Sequence, residues 1–421
     1  MLNVEFKREK EIASLEAKEG NGKIKIVAGL RRAGKSYLLN PLFKRYLIER
    51  KGYREENFAI KDFSKQDQIN DVRGLKIYLE SLVEKGEIKF IFLDEAQECG
   101  DGFAEAILKF HRMHGEFDIY LSGSNSKTLS EDIVEAFKDD GDPLFIESLS
   151  YKEIVEVLPS FALEDYFETG GLPIIVRQES EPLRVSALDS LLRNLYFTDI
   201  KSRLAKSFSL KKLAPSEAED VIQDACANLT SPMSIASLAR RYSGKGRGGG
   251  ALDKNDFSLD CLSILKEAEN AYLLYRYAYP YSDGSERNPH AWVSHQFKYY
   301  CYDLGLLERI SLVDDPRGIA LENAVYLELR RRGIHARPFI LFDEKGSETT
   351  NIDFSFPYKG QDVLLQVTYE INAFDEEREV KKLASIEGKH RKCIVYRQNV
   401  LGEEESSITY IQAEDFFSRF L

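Results

Sequence analysis

The sequence predicts an α/β protein in three parts: a parallel-sheet domain, a helical middle and a smaller C-terminal α/β domain. Three observations favour this arrangement. Short apolar runs alternate with helical patterns between residues 23 and 148, as expected for parallel strands joined by helices. The pattern is mainly helical between residues 150 and 278, and strand patterns return from residue 297 onward. We therefore expect domains at residues 1–148, 149–292 and 293–421.

The first domain shows strands and helices in alternation. Strand patterns cover residues 24–28, 57–63, 90–93 and 118–122, and helical patterns cover residues 36–50, 72–85 and 103–114. The run Phe90–Leu93 is apolar throughout, which is typical of a strand buried on both faces of a parallel sheet. The elements therefore predict a parallel sheet with helices on both faces.

The overall composition is that of an ordinary globular protein. Among 421 residues, 43% are hydrophobic and 30% are charged, which leaves enough apolar material for several cores. The net charge of −12 argues against nucleic-acid binding over the whole surface, although it is compatible with a local basic patch. Five scattered cysteines without a CxxC pair favour reduced thiols over disulfides or zinc. No apolar run approaches the ~20 residues of a membrane span, so we expect a cytoplasmic protein without membrane contact.

An eight-residue segment, GLRRAGKS, lies between the first predicted strand and the first predicted helix. It matches the pattern GxxxxGK[ST], in which glycines let backbone N–H groups converge on phosphate oxygens ahead of a helix N-terminus. We expect Lys35 to reach the β- and γ-phosphates of ATP, and the Ser36 hydroxyl to ligate Mg²⁺. The residues predicted to contact nucleotide are Gly29, Arg31, Arg32, Ala33, Gly34, Lys35, Ser36 and Tyr37. For Arg31 and Arg32, contact with nucleotide, with a neighbouring subunit or with solvent alone all stay open.

Two carboxylates follow the apolar strand at residues 90–93. Parallel sheets bind ligands at the carboxyl ends of their strands, so Asp94 and Glu95 are expected beside the phosphate-binding turn. In this position, Asp94 would hold the magnesium through water and Glu95 would polarise the attacking water. A strand that ends in a solvated acidic turn without catalytic function has a similar sequence pattern. The spacing of the two carboxylates after the glycine turn favours the functional interpretation.

Several segments together resemble a known group of proteins. GLRRAGKS, LDEAQ, LSGSNSKTLS, TGGLP, YYCYDLGLL, LENAVYLELRRRG and NIDF occur in this order over nearly the whole chain. They resemble the AAA-type ATPases of bacteria and archaea that carry a C-terminal domain of poorly understood role. The resemblance implies an AAA-like P-loop NTPase core, a winged-helix-like middle and a C-terminal domain similar to the PD-(D/E)XK nuclease fold.

The resemblance also suggests a residue that senses the γ-phosphate at the end of the strand at residues 118–122. Ser124 or Asn125 fits that role, and we count Asn125 among the predicted catalytic residues with Glu95, Asp94 and Lys35. An ordinary Ser/Asn turn is the alternative.

One departure from the family pattern concerns an arginine. The family usually has a Gly-Arg pair after this strand, whereas residues 137–143 read FKDDGDP here. Arg203 or a residue of a neighbouring subunit would then have to stabilise transition-state charge. Since arginine fingers accelerate hydrolysis by orders of magnitude, we expect slow intrinsic hydrolysis by the isolated chain.

The middle segment contains a pattern similar to a helix-turn-helix. Residues 234–242 look like its first helix, residues 257–271 like the next helix, and residues 272–275 like the start of a wing. Basic residues with glycines between them, Arg240, Arg241, Lys245 and Arg247, would contact DNA phosphates. The alternative is a winged helix that only joins domains or contacts protein.

In the C-terminal part, Glu322, Asp353 and Gln366 fall where a nuclease of PD-(D/E)XK type keeps its metal ligands. The third ligand position is an amide rather than a carboxylate, and Thr368 stands where the lysine is expected. This combination favours a non-catalytic domain that offers a surface to a protein partner.

Three functional hypotheses follow. The first is an ATPase that uses ATP and Mg²⁺ to drive a conformational switch of its C-terminal domains. The second is a nucleotide-gated module that binds protein or DNA with little hydrolysis. The third, an ATP-dependent DNA nuclease, is disfavoured by Gln366 and Thr368. The sequence leaves the oligomeric state open.

Overall fold

The computed structural model describes residues 1–64, 71–123, 137, 139–207, 209–243, 251–278, 297–342, 348–402 and 404–420. The chain divides into two compact units. The first comprises Met1–Leu149, Leu172–Arg177 and Asn270–Tyr272. The second comprises Ser150–Gly171, Gln178–Glu269 and Leu273–Leu421. Within the described ranges, no helix is long and apolar enough to cross a membrane.

A five-stranded parallel sheet forms the centre of the first unit. Its strands are β1 (Ile24–Gly29), β2 (Phe58–Asp62), β3 (Phe90–Asp94), β4 (Asp118–Ser122) and β5 (Gly141–Ile146). They lie in the order β2-β3-β4-β1-β5, and each neighbouring pair is parallel. The predicted parallel sheet is therefore confirmed. Because the carboxyl ends of all five strands meet at one edge, the last residues of β1, β3 and β4 lie close together.

β5 was not predicted from the sequence. Its pattern, GDPLFI, begins with residues that are typical of a turn, and Pro143 lacks an N–H for a sheet ladder. β5 pairs with β1 alone and forms an edge of the sheet, where proline is tolerated.

The two faces of this sheet pack against different kinds of side chain. One face is aliphatic and packs on the helices Val72–Val83 and Phe103–Met113 through Ile91, Leu93 and their neighbours. On the other face, the rings of Phe92 and Tyr120 pack against each other and against Phe43, with ring centroids 5.2 to 6.4 Å apart. This alternation along each strand explains why the strands read as continuous apolar runs.

The helix predicted after the glycine turn is interrupted. In place of one helix over residues 36–50, the chain forms a short helix, a π-helical segment and a second helix, Lys35–Tyr37, Leu38–Phe43 and Lys44–Lys51. Asn40 has an extended backbone with φ −136° and ψ 111°. The physical reason is Pro41, since proline disfavours the helical conformation of the residue before it and has no N–H to donate.

The second unit combines helices with a mixed sheet. Its helices are Tyr151–Val155, Leu163–Thr169, Glu181–Leu191, Thr198–Ser207, Ala218–Cys226, Ile235–Ser243, Ala251–Asn270, Leu304–Ile310, Arg317–Arg331, Lys381–Ser385 and Ala413–Arg419. Two strands, β6 (Leu274–Ala278) and β7 (Phe297–Cys301), form an antiparallel pair. The larger sheet contains β8 (Arg337–Phe342), β9 (Glu348–Tyr358), β10 (Gln361–Ile371), β11 (Arg391–Asn399) and β12 (Ile408–Gln412). Their order is β12-β11-β10-β9-β8, with parallel pairing from β10 to β12 and antiparallel pairing from β8 to β10.

Two of the sequence segments that carry the resemblance contact each other in this unit. The buried carboxylate of Asp303 accepts hydrogen bonds from the N–H groups of Gly171 and Gly305, at 2.9 and 3.1 Å. A Cβ atom on Gly305 would lie 2.4 Å from the carbonyl oxygen of Thr169. The TGGLP and YDLG segments therefore have a structural role, in which backbone packs directly on backbone.

Candidate nucleotide site

The glycine turn after β1 contains two positions that require glycine for different reasons. Gly29 has φ +135°, and a Cβ atom there would lie 2.0 Å from the carbonyl oxygen of Ile146. Gly34 has φ +92° and directly precedes the helix that begins at Lys35. L-residues rarely adopt these conformations. The two glycines thus shape the turn that opens toward the carboxyl edge of the sheet.

The Lys35 side chain folds back onto this turn. Its ammonium donates hydrogen bonds to the carbonyl oxygens of Gly29 and Leu30, at 3.1 and 2.7 Å. Lys35 is only 5% exposed, and burial lowers the pKa of its ammonium to about 8, against the raising effect of the Glu95 and Asp94 charges. Among the described residues, no carboxylate forms an ion pair with Lys35. A buried cation whose hydrogen bonds go to neutral carbonyl groups is an arrangement that an anionic ligand would stabilise.

Asp94 and Ser36 are in contact at the sheet edge. Burial raises the pKa of the Asp94 carboxyl, while hydrogen bonds from the hydroxyls of Ser36 and Ser122 oppose this effect. The Ser122 bond to Asp94 Oδ1 measures 2.7 Å. The charges of Glu95 and Asp62 also raise the pKa of Asp94. The hydroxyl and carboxylate predicted to serve the same metal are thus brought together by the ends of β1, β3 and β4.

Glu95 occupies a left-handed backbone conformation, with φ +52°. Its N–H donates to the carbonyl oxygen of Ser122 at 2.8 Å, which fixes the peptide between β3 and β4. The amide of Gln97 donates to Glu95 Oε2. The Glu95 carboxylate is therefore oriented by a neighbour two residues along the LDEAQ segment.

An arginine of the N-terminal segment donates a hydrogen bond to the backbone of the glycine turn. Arg8 is 5% exposed, and its Nη2 donates to the carbonyl oxygens of Ala33 and Glu147, at 2.9 and 3.0 Å. A single guanidinium thereby connects the glycine turn with the end of β5. Arg8 directly precedes the helix Glu9–Lys18.

The structure gives fewer contacts for the remaining predicted site residues. The Tyr37 hydroxyl donates to Glu5 Oε2 at 2.6 Å, a carboxylate that also accepts from Arg45. Arg32 has a left-handed backbone, with φ +64°. Ser124 and Asn125, the two candidates for the γ-phosphate sensor, lie outside the described residues, as do Lys245 and Arg247 of the predicted DNA-binding segment.

Arg203 was considered for transition-state stabilisation and Arg241 for contact with DNA. Both have carboxylate partners in the second unit. Arg203 pairs with Asp199 and lies 3.5 Å from Glu267. Arg241 pairs with Asp224 at 2.7 Å. Both guanidinium groups are therefore engaged by carboxylates of their own unit.

Four residues of the site escaped the sequence analysis. They are Arg8, Asp62, Gln97 and Ser122. Asp62 and Ser122 end the two strands that flank β3, so the position of polar residues at strand ends is a signal that could have found them. Arg8 lies in a charged segment whose pattern holds no comparable signal.

The sheet, the glycine turn and the carboxylate pair define a P-loop nucleotide-binding domain. Residues 21–155 match the model of a protein family described as an AAA domain. The matched segment contains both the glycine turn and the two carboxylates. It supports an AAA-type P-loop ATPase domain in this part of the chain.

Two relatives align with most of the chain. An uncharacterized protein of Methanocaldococcus jannaschii is 23% identical over 402 residues, which cover 90% of this chain and 82% of the relative. An uncharacterized protein of Haemophilus influenzae is 24% identical over 386 residues, which cover 88% of either chain.

Solved structures show weaker similarity. The replication initiator DnaA bound to AMPPCP and single-stranded DNA is 14% identical with a TM-score of 0.30, covering 64% of this chain and 95% of DnaA. A RuvB variant from Thermotoga maritima is 16% identical with a TM-score of 0.27, covering 64% of this chain and 88% of RuvB. Scores this low do not define a shared overall fold.

Proposed function

We propose that the chain binds ATP with Mg²⁺ at the glycine turn and hydrolyses it, and that the bound nucleotide sets the conformation of the C-terminal part. The observation that carries this proposal is the Lys35 ammonium, buried against neutral carbonyl groups one residue before the hydroxyl that contacts Asp94. Burial of a cation without an anion is costly. A triphosphate would supply that anion.

Each residue has a distinct role in this proposal. The N–H groups of the glycine turn and the Lys35 ammonium bind the β- and γ-phosphates. The Glu95 carboxylate orients the attacking water and accepts its proton, held in place by the Gln97 amide.

The residues also fit a divalent cation that accompanies ATP. Ser36 and Asp94 would hold Mg²⁺, since the Ser36 hydroxyl lies near enough to the Asp94 carboxylate to lower its pKa. Bound there, Mg²⁺ would supply charge neutralisation on the phosphate oxygens.

A second candidate function is a nucleotide-gated module with little intrinsic turnover. The observation in its favour is that Arg203, the arginine considered for transition-state stabilisation, is held by Asp199 and Glu267. In this case DNA would bind near the helix Ile235–Ser243, or a protein partner would bind the C-terminal sheet. We propose a cytoplasmic location for either function.

The test compares wild type with Lys35→Ala, Glu95→Gln and the matched control Lys23→Ala, which removes an exposed lysine just before β1. Binding of a fluorescent ATP analogue and steady-state phosphate release are measured with and without duplex DNA. We expect slow turnover by wild type and Lys23→Ala, no binding by Lys35→Ala, and binding without turnover by Glu95→Gln.

The other outcomes are equally informative. Binding by wild type without turnover would favour the nucleotide-gated module. A wild-type chain that binds no nucleotide would show that the proposal is wrong. Stimulation by DNA would identify a partner.

A further inference from the structure

A second buried lysine lies in the C-terminal part, among the residues predicted from the nuclease resemblance. Lys298 of β7 is 2% exposed. Its Nζ lies 3.2 Å from Glu322 Oε1 and 3.5 Å from Asp353 Oδ1, so that one ammonium bridges two carboxylates. The carboxylates come from the helix Arg317–Arg331 and from β9.

Three further groups donate hydrogen bonds to these carboxylates. The Tyr300 hydroxyl donates to Glu322 Oε1 at 2.9 Å. The Gln366 amide nitrogen and the Val367 N–H both donate to Asp353 Oδ2, at 2.7 and 3.0 Å. Gln366 therefore presents its NH₂ group to the carboxylate, and both oxygens of Asp353 have hydrogen-donating partners.

With the Lys298 ammonium in place, this donor set does not fit a divalent cation. Mg²⁺ needs several oxygen ligands with free lone pairs and usually keeps part of its water shell. Asp353 is only 9% exposed. Within the described ranges, no group of three or more His, Cys, Asp or Glu side chains could hold a metal ion. The nearby carboxylate of Glu379, whose pKa is raised to about 7 mainly by burial and then by Asp353, has its own partner in Arg378 at 2.9 Å.

We propose that the Lys298 ammonium takes the place of a divalent cation between Glu322 and Asp353, so that this cluster joins β7, β9 and the helix Arg317–Arg331 without metal. A lysine in this position offsets one of the two negative charges that a nuclease site would use for Mg²⁺, and its ammonium lies within 3.5 Å of an oxygen of each carboxylate. The proposal is independent of the nucleotide site, which lies in the first unit.

The first test counts metal ions. The full chain, without nucleotide, is titrated with Mn²⁺, and free Mn²⁺ is followed by its electron paramagnetic resonance signal. Wild type and Asp353→Asn should bind the same number of ions, and Asp94→Asn identifies any ion held at the nucleotide site. The loss of one bound Mn²⁺ in Asp353→Asn would overturn the proposal.

The second test creates the missing site. Lys298→Met removes the ammonium but keeps an unbranched apolar side chain of nearly the same length, and it should add one Mn²⁺ equivalent relative to wild type. The double variant Lys298→Met with Asp353→Asn should lose that ion again. An unchanged count in a Lys298→Met chain with a wild-type circular dichroism spectrum would contradict the proposal. If Lys298→Met does not fold, the comparison of wild type with Asp353→Asn still decides.

Discussion

The two units each bury a lysine, and the partners of the two ammonium groups differ. In the first unit, Lys35 donates to the carbonyl oxygens of Gly29 and Leu30. In the second unit, Lys298 bridges the carboxylates of Glu322 and Asp353. The carboxylates of Glu95 and Asp94 favour the charged form of Lys35 without forming an ion pair with it among the described residues, whereas Lys298 lies within ion-pair distance of two carboxylates. One arrangement favours an incoming anion, and the other is already complete.

The comparison teaches that burial of a charged residue does not by itself mark a ligand site. Lys25, also in the first unit, is fully buried and paired with Asp118, whose carboxylate additionally accepts from the Tyr120 hydroxyl at 2.9 Å. Like Lys298, Lys25 has a carboxylate partner, so its buried charge is stabilised without a ligand. The kind of partner, and not burial, distinguishes Lys35, which we propose binds nucleotide, from Lys25 and Lys298.

The strongest effect is expected on stability, from the same substitution at the two lysines. Lys298→Met should lower the free energy of unfolding by about 3 to 5 kcal/mol, because it leaves buried carboxylates without a cation. Lys35→Met should change it by less than about 1 kcal/mol, because only hydrogen bonds to neutral carbonyls are lost. Urea unfolding followed by circular dichroism measures both. Equal losses in the two variants would break the comparison.

The next effect concerns turnover and uses a matched pair of aspartates. Asp94→Asn should slow phosphate release from ATP by at least about 100-fold, since it removes a charge needed for the metal. Asp353→Asn should leave the rate within about twofold, because its partners are Lys298 and Gln366. Steady-state kinetics at saturating ATP and Mg²⁺ compare the two variants. Slow turnover by Asp353→Asn would show that the second unit contributes to ATP hydrolysis.

A smaller effect is expected from pH. The pKa of Lys35 is lowered to about 8 by burial, and a bound phosphate favours the protonated form. Nucleotide affinity should therefore be full below pH 8 and fall above it, by about tenfold between pH 7.5 and 9. Equilibrium titration with a fluorescent ATP analogue measures the profile. Lys35→Arg keeps its charge over this range and serves as the control with a flat profile.

The smallest effect should follow from Arg8. Arg8→Met removes two hydrogen bonds to backbone carbonyls, at Ala33 and Glu147, and should weaken nucleotide binding by about fivefold through a looser turn. Lys7→Met, one residue earlier and exposed, is the matched control. Affinities equal to that of the control would assign Arg8 to folding alone.

The sequence was most informative where short-range patterns decide the structure. The glycine turn, the apolar run of β3 and the exact bounds of β4 all follow from local residue types. The ends of those strands also indicated where Asp94 would lie. Within one strand or turn, neighbouring residues carry most of the information.

The rest depended on contacts between distant segments. The resemblance to a nuclease assigns the position of the lysine to Thr368, and the sequence could not indicate that Lys298 reaches Glu322 and Asp353 from β7. Arg8 contacts the glycine turn only because the N-terminal segment folds behind it. β12, with only Ile408 buried, has too weak an apolar pattern to be recognised as a strand. Such features require the packing of the whole unit.

The two glycines of the turn differ in how freely other residues could replace them. At Gly29, a Cβ atom would collide with the backbone of β5, so both the available space and the φ angle restrict the position. At Gly34, the nearest atom to such a Cβ is Pro173 Cγ at 3.8 Å, so only the φ angle restricts it. Asparagine tolerates left-handed backbone better than most residues. A protein engineer who randomised both positions would therefore recover folded chains with glycine alone at the first, and with glycine or asparagine at the second.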